Sequence, residues 1–320
     1  MSAASSRRLP RVRLAALAVA VGSMLLACQQ GTTEDEGDDS GLDLINGTSS
    51  LPLPSTVRIM DGCTAAKIGP RLLLTAAHCA FKLSDVTPKY DAAHPIRLST
   101  NPAQGSDVYE VAQVHGHPEF LRRCSETLCS ISAVAAKLDA PDIAVIELAS
   151  ELAGVPVARI DTRPLAPGDR VILEGFGCTE GVHQADAREV ASLTSAEARV
   201  VKPEAALHDG SFVGPGDVPV YSGNYVLTPG PGAISSGAGL CPGDSGGPLY
   251  ARADRKAKGK IKDARDLVIV GVNANYTLLP DADDSVGLPV TNWHTRVDGQ
   301  SRNAVASWLA SIVARPTTTS

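Results

Sequence analysis

The stretch Leu72-Leu73-Leu74-Thr75-Ala76-Ala77-His78-Cys79 is an apolar run of strand length that ends on an imidazole. Similar short runs recur between Gly and Pro signals at Thr56–Met60, Val108–Val114, Ile143–Leu148, Arg170–Leu173, Tyr225–Leu227 and Leu267–Val272. Their length, β-branching and turn boundaries predict strands. A helical pattern stands out only near the end, where Val305, Trp308, Leu309, Ile312 and Val313 fall at spacings of three and four. The expected class is therefore all-β with a C-terminal α-helix.

Composition agrees with a packed domain. With 43% apolar and 20% charged residues among 320, the chain can bury a sizeable core and is neither disordered nor collagen-like. The formal charge is −6, but all four arginines before Cys28 stand among no acids, so the rest carries 25 bases against 35 acids. Such an acidic remainder argues against nucleic acid as a partner. Arg7, Arg8, Arg11 and Arg13 precede an apolar run, Leu14–Ala27, that is short for a spanning helix of about 20 residues. Charged start, apolar middle and small residue before Cys28 make residues 1–28 an export signal. Residues 29–43 are acidic and nearly devoid of apolar side chains, the composition of a flexible tether. The folded unit is expected over 44–314, with 315–320 as a frayed tail.

Two further stretches carry chemistry. Asp142-Ile143-Ala144-Val145-Ile146-Glu147-Leu148 sets a carboxylate before a strand, and Cys241-Pro242-Gly243-Asp244-Ser245-Gly246-Gly247-Pro248 sets a hydroxyl in a tight glycine-rich turn. With His78 these are the ingredients of nucleophilic acyl transfer. A serine hydroxyl is a weak nucleophile at neutral pH. His78 would take its proton, and Asp142 would fix the imidazole tautomer and stabilise the imidazolium. The glycines would let the N–H groups of Gly243 and Ser245 point at one developing oxyanion.

Together these motifs resemble the trypsin-like, chymotrypsin-fold serine proteases, in the order His, Asp, Ser. Gly175-Phe176-Gly177, His117-Pro118-Glu119-Phe120 and Thr295-Arg296-Val297 with the Trp308 helix are similar to further family segments. The resemblance implies two antiparallel six-stranded β-barrels with the catalytic groups in the cleft between them. It implies protein or peptide substrates, no cofactor, no metal and a monomer. It also implies a disulfide from Cys63 to Cys79. Cys124 and Cys129 would close a short local loop, and Cys178 and Cys241 would then pair, tying the Gly-Phe-Gly turn to the serine loop. Cys28, in Leu25-Leu26-Ala27-Cys28, resembles the lipidated cysteine of a bacterial lipoprotein and so implies a membrane lipid partner at the cell envelope.

Leu44-Ile45-Asn46-Gly47-Thr48 resembles the family's activation site, where a new ammonium at Leu44 would pair with Asp244. The residue before that cut is Asp43 rather than Arg or Lys. Cleavage there would free the catalytic domain from its lipid anchor. The position that selects Arg or Lys in the family is Gly239, followed by Leu240, so an apolar preference is expected in place of a tryptic one. Ala274-Asn275-Tyr276 stands where the family has a substrate-pairing strand, and Asn292 is a further wall position. His115 and His117 are expected to be structural rather than metal ligands, Asp281, Asp283 and Asp284 a solvated loop rather than a calcium site, and Arg252–Arg265 a solvated basic loop. Two other function classes fit the same residues: a catalytically silent binding protein on this fold, and an esterase using the same serine.

Overall fold

The structure is a computed structural model that describes residues 44–45, 47, 53–127, 140–178, 181–182, 192–203, 223–234, 236–257, 263–278 and 288–315. β-Branched Thr56, Val57 and Ile59 form β1 (Thr56–Ile59), which pairs antiparallel with β2 (Cys63–Lys67). β3 (Leu72–Thr75) continues the sheet and pairs with β7 (Ala144–Leu148). On the other side of β1 lies β4 (Ile96–Ser99), followed by β5 (Asp107–Tyr109). β6 (Val111–Gly116) pairs with β7. The sheet therefore runs β5-β4-β1-β2-β3-β7-β6, with its two ends separated in sequence by Glu110 alone. One strand, bent at Glu110, feeds both edges and brings the sheet nearly to closure. This bend is why seven strands appear where six are expected: the predicted Val108–Val114 strand is split in two.

The second sheet is built from β8 (Arg170–Gly175), β9 (Thr194–Arg199), β10 (Tyr225–Pro229), β11 (Pro248–Arg252), β12 (Leu267–Leu278) and β13 (Pro289–Arg296), in the order β10-β13-β12-β11-β8-β9. It curls as a half-barrel, and a single bridge between Val201 and Leu227 draws its two edges together. Two curled antiparallel sheets with few helices give the two-barrel arrangement expected from the sequence.

Two helices pack against the core of the first barrel. α2 (Pro118–Thr127) is absent from the sequence expectation, which saw helical periodicity only at the C-terminus. Its start is set locally: proline suits the first helical position, and His117 Nδ1 accepts the N–H of Glu119 at 3.3 Å. The other ring nitrogen of His117 donates to Asn303 O at 3.0 Å, and the ring meets Trp308 edge-on at 5.1 Å. Its structural role is thus to tie α2 to α3 (Val305–Val313), whose Val305, Leu309 and Ile312 join the core of the first barrel. His115 lies beside Glu147, which also holds Arg71. Lys67 is buried on β2, where its ammonium donates to the carbonyls of Leu152 at 2.6 Å and Val155 at 2.9 Å and anchors the loop after β7.

The barrels are joined by side chains that cross between them. Tyr225 donates its hydroxyl to Ala140 O at 2.7 Å. Glu174, on β8 and fully buried, accepts the hydroxyl of Thr56 on β1, close to the phenol of Tyr250. Burial holds the Glu174 carboxyl well above its ordinary value, so the neutral acid is the folded form. The unfolded chain releases that proton near 4.5, so the contribution of Glu174 to stability is complete below that pH and is lost as pH rises toward the folded value. Glu174→Gln is therefore expected to unfold at higher denaturant concentration than the wild type at alkaline pH, with the gap closing below pH 4.5. Urea unfolding of both proteins across pH measures this, and a gap that does not change with pH contradicts it.

Candidate active site

β3 ends at Thr75, and the chain turns through the buried Ala76 into a four-residue helix, α1 (Ala77–Ala80). Ala76, Ala77 and Ala80 are fully buried, so only small side chains fit there, and His78 is the residue that faces outward. Asp142 lies just ahead of β7, the strand paired with β3, which brings it to the same end of the barrel. Its Oδ1 accepts the His78 backbone N–H at 2.9 Å, and its Oδ2 lies 2.6 Å from His78 Nδ1. A carboxylate only accepts, so Nδ1 carries the proton and Nε2 presents its lone pair outward. Thr295, on β13 of the second barrel, donates its hydroxyl to Asp142 O at 2.8 Å.

Ser245 arrives from the second barrel on the turn before β11. Its carbonyl accepts Thr64 N–H at 2.8 Å, so β2 grips the turn directly. Thr64 grips it a second time: its hydroxyl donates to Gly243 O at 2.8 Å while accepting Phe176 N–H at 3.1 Å. Gly246 and Gly247 are bonded to Asn273 on β12. Among the described residues, the N–H groups of Asp244, Gly246 and Gly247 all have backbone acceptors, whereas those of Gly243 and Ser245 have none. Gly243 has φ of 109°, a conformation that favours glycine. No hydrogen bond joins Ser245 Oγ to His78 Nε2 among the described residues, a contact that commonly tightens only when substrate is bound.

Asp244 is fully buried beneath this turn, with Oδ1 accepting Gly177 N–H at 2.7 Å and Oδ2 accepting Cys241 N–H at 2.9 Å. A Cβ at Gly177 would overlap the Asp244 carboxylate. The disulfide Cys178–Cys241 fastens the Gly175-Phe176-Gly177 turn to the serine loop, and Cys63–Cys79 fastens β2 to α1. Cys124 is disulfide-bonded, while Cys129 lies outside the described residues. Cys63, His78 and Cys79 cluster within 4.8 Å, but both sulfurs belong to a disulfide and supply no thiolate for a metal.

Leu44 is fully buried in the core of the second barrel, in the cluster that includes Ala238 and Leu240. Ile45 bridges Gly239 in antiparallel fashion, its carbonyl accepting Gly239 N–H at 3.1 Å. Asn292 is fully buried and binds the same segment from the other side. Its Oδ1 accepts Leu240 N–H at 2.8 Å, and its Nδ2 donates to Ala238 O at 2.7 Å and Thr228 Oγ1 at 3.1 Å. The Thr228 hydroxyl donates to His294 Nε2 at 3.0 Å, and His294 Nδ1 donates to Asn273 Oδ1 at 2.9 Å. Burial pulls the His294 imidazole down to about 3, which keeps this chain of hydrogen bonds neutral. Ala274 is the extra residue of a bulge between Asn273 and Asn275. Tyr276 is half-buried, and burial together with the nearby Asp244 charge raises its hydroxyl.

Several of these residues lie outside the motifs. Thr64, Asn273 and His294 carry no local signature, since their partners are distant in sequence. Lys89 donates to His78 O at 3.1 Å, and burial lowers its ammonium against the pull of Asp61 and Asp142. Asp43, Cys28 and Asp281, Asp283 and Asp284 lie outside the described residues, as do 258–262 of the basic loop. Within that loop Arg255 is pinned rather than solvated, against Asp161 and the carbonyls of Arg163 and Pro164. A cleft of about 430 Å³ opens beside Gly243, lined by Arg58, Met60, Asp61 and Gly62 of the first barrel and Phe176 and Pro242 of the second.

Comparison with known proteins agrees with this geometry. A family model described as Trypsin matches residues 47–272. A trypsin of Simulium vittatum is 24% identical over 201 residues, covering 61% of this chain and 68% of the relative. An imidazole and a carboxylate on one barrel, a serine turn from the other and a matching family model over most of the chain make this protein a member of the trypsin family of serine proteases.

Proposed function

We propose that the chain is an exported serine endopeptidase that cleaves peptide bonds through an acyl-enzyme, with His78, Asp142 and Ser245 as its triad. One observation carries the reading: the Asp142 carboxylate holds His78 through both oxygens, beside a turn whose Gly243 and Ser245 N–H groups lack partners. Two idle donors next to a buried, fully bonded aspartate fit a site prepared for a charge that exists only during reaction. Ser245 Oγ attacks the scissile carbonyl as His78 Nε2 takes its proton. The carbonyl oxygen becomes an oxyanion between the two N–H groups. Collapse breaks the C–N bond, His78 returns the proton to the leaving amine, and water then repeats the sequence to release the acid.

Gly239 and Leu240 give the side-chain pocket no carboxylate, so the residue before the cut is apolar rather than basic. Activation is by cleavage before Leu44, whose ammonium would pair with Asp244. Leu44 and Ile45 already seat against the second barrel and Gly239, which supports that reading. Before the cut the chain is held at the cell envelope through lipid on Cys28. The cut releases the protease.

The purified protein, treated with a fluorophosphonate probe beside Ser245→Ala, tests the reaction. Labelling and casein hydrolysis are expected only with Ser245, with turnover lower by about 10⁶-fold in the alanine variant. The labelled species is expected to begin at Leu44. A properly cut chain that does not label would favour the silent binding protein, and labelling with ester but no peptide turnover would favour the esterase. Gly177→Ala is expected to fold and to lose about 10²–10³-fold in kcat, because displacing Asp244 misaligns the two N–H donors above it. Retention of full kcat in that variant would separate the Asp244 cradle from catalysis.

A further inference from the structure

His78 is held at its backbone N–H, its ring and its carbonyl. The N–H goes to Asp142 Oδ1 at 2.9 Å and ring Nδ1 to Asp142 Oδ2 at 2.6 Å, while the carbonyl accepts the ammonium of Lys89 at 3.1 Å. That last contact lies at the carbonyl end of α1, and a helix end leaves carbonyls without intrahelical donors. Ala77 O accepts Phe81 N–H at 2.9 Å. Lys89 serves two of the others: its backbone N–H reaches Ala80 O at 2.8 Å, and its ammonium reaches His78 O. A lysine side chain on the last carbonyls is an effective helix stop.

A closed loop delivers Lys89 to this position. Phe81 bridges Pro88 in antiparallel fashion, Lys82 N–H donates to Thr87 O at 2.8 Å, and Val86 N–H donates to Lys82 O at 2.9 Å. Val86 has φ of 59°, a conformation rare for a β-branched residue, so the loop takes this path at a cost in backbone strain. Just beyond Lys89, the buried Tyr90 donates its hydroxyl to Asp61 Oδ2 at 3.0 Å. With its own N–H on α1 and its neighbour pinned to the turn after β1, Lys89 has its backbone fixed on both sides, and its ammonium is aimed at one carbonyl.

The charge matters as well as the bond. The ammonium rests on the carbonyl of the very residue whose imidazole becomes positive when it takes the serine proton. A like charge held that close disfavours the imidazolium. Asp142 and Asp61 are the acids that face this end of α1. On β6 and β7, the strands packed against α1, His115 and Glu147 are engaged with each other at 3.4 Å, and Lys82 on the loop is exposed.

We propose that Lys89 is a positioning residue for His78, fixing the orientation of the base through its carbonyl and keeping it neutral to lower pH. The inference rests on the serine-protease reading above and deepens it. Lys89 acts through His78 rather than on substrate.

The pH dependence of kcat/KM for the wild type, Lys89→Met and Lys89→Arg, measured on the purified proteins with one peptide substrate, tests it. The acid limb of that profile reports protonation of the free enzyme's base. Losing a nearby cation makes the base easier to protonate. In Lys89→Met the limb is therefore expected to move up by about half a pH unit, with plateau kcat lower by about 10-fold and KM changed by less than about 2-fold. Lys89→Arg, which keeps a cation with N–H donors, is expected to return the limb to its wild-type position. A limb that stays in place in Lys89→Met, a limb that arginine does not restore, or a KM that rises while kcat holds overturns the inference. A merely structural lysine would lower the urea midpoint and leave the limb where it is. If Lys89→Met does not fold, Lys89→Gln, which keeps an N–H donor and drops the charge, is read in its place, and failure of both to fold also overturns the inference. Fluorophosphonate reaction at Ser245 of the wild type separates the two levels. A reactive Ser245 with an unmoved limb sinks only the role of Lys89, whereas an unreactive Ser245 sinks the protease reading and this inference with it.

Discussion

The buried carboxylate of Asp244 is the constraint around which the second half of the molecule is arranged. A carboxylate taken out of water is strongly disfavoured unless donors replace its hydration. Here the donors come from the backbone, Gly177 N–H at 2.7 Å and Cys241 N–H at 2.9 Å. Glycine stands at 175 and 177, where a Cβ would overlap the Asp244 carboxylate. The Gly-Phe-Gly turn, the Cys178–Cys241 disulfide and the serine turn therefore move as one block. Ser245 inherits its position from the residue before it.

The site exists because each barrel reaches into the other. The first barrel supplies His78 and Asp142, yet Asp142 is held by Thr295 of the second. The second supplies Ser245 and Gly243, yet both are held by Thr64 of the first. Near the same seam, Thr56 binds Glu174, whose carbonyl accepts Asn273 Nδ2 at 3.0 Å. Hydrogen bonds of this kind each contribute only about 1 kcal/mol net, so their value lies in geometry. Several of them, anchored at both ends in curled sheets, fix a serine turn and an imidazole that belong to different barrels.

What was legible in the sequence follows from how local each signal is. The imidazole after Leu72–Thr75, the carboxylate before Ala144 and the serine among glycines are visible because the strand or turn that presents each is contiguous with it. β2, with the sequence Cys-Thr-Ala-Ala-Lys, was not visible. It is buried along its whole length, so it shows no alternation, and its lysine is satisfied by carbonyls 85 and 88 residues away. β9, Thr-Ser-Ala-Glu-Ala-Arg, has the composition of a helix former and is made a strand by its pairing with β8. α2 shows little beyond Phe120, Leu121 and Cys124 on its apolar side, too brief a pattern to stand out. The neutral hydrogen-bonded chain from Asn292 to Glu174 O spans four strands, and no local pattern announces it.

That neutral chain also bears on how the Leu44–Ile45 segment and the strip Ala238–Leu240 depend on each other. The strip Ala238–Leu240 has two supports: Asn292 on its inner side, and the Leu44–Ile45 segment on the other, through the Ile45–Gly239 bridge. Burying a leucine such as Leu44 contributes about 1.5–3 kcal/mol, comparable to several of the polar contacts together. A strip held on one side only would still carry Leu240 N–H and Ala238 O, whose partner Asn292 is fixed by Thr228 and cannot follow it outward. Removing the Leu44–Ile45 support would thus load bonds whose far ends are held through Thr228 and His294. Seating of Leu44 and placement of the Ala238–Leu240 strip are therefore two expressions of one packing equilibrium, tied together through the Asn292 amide.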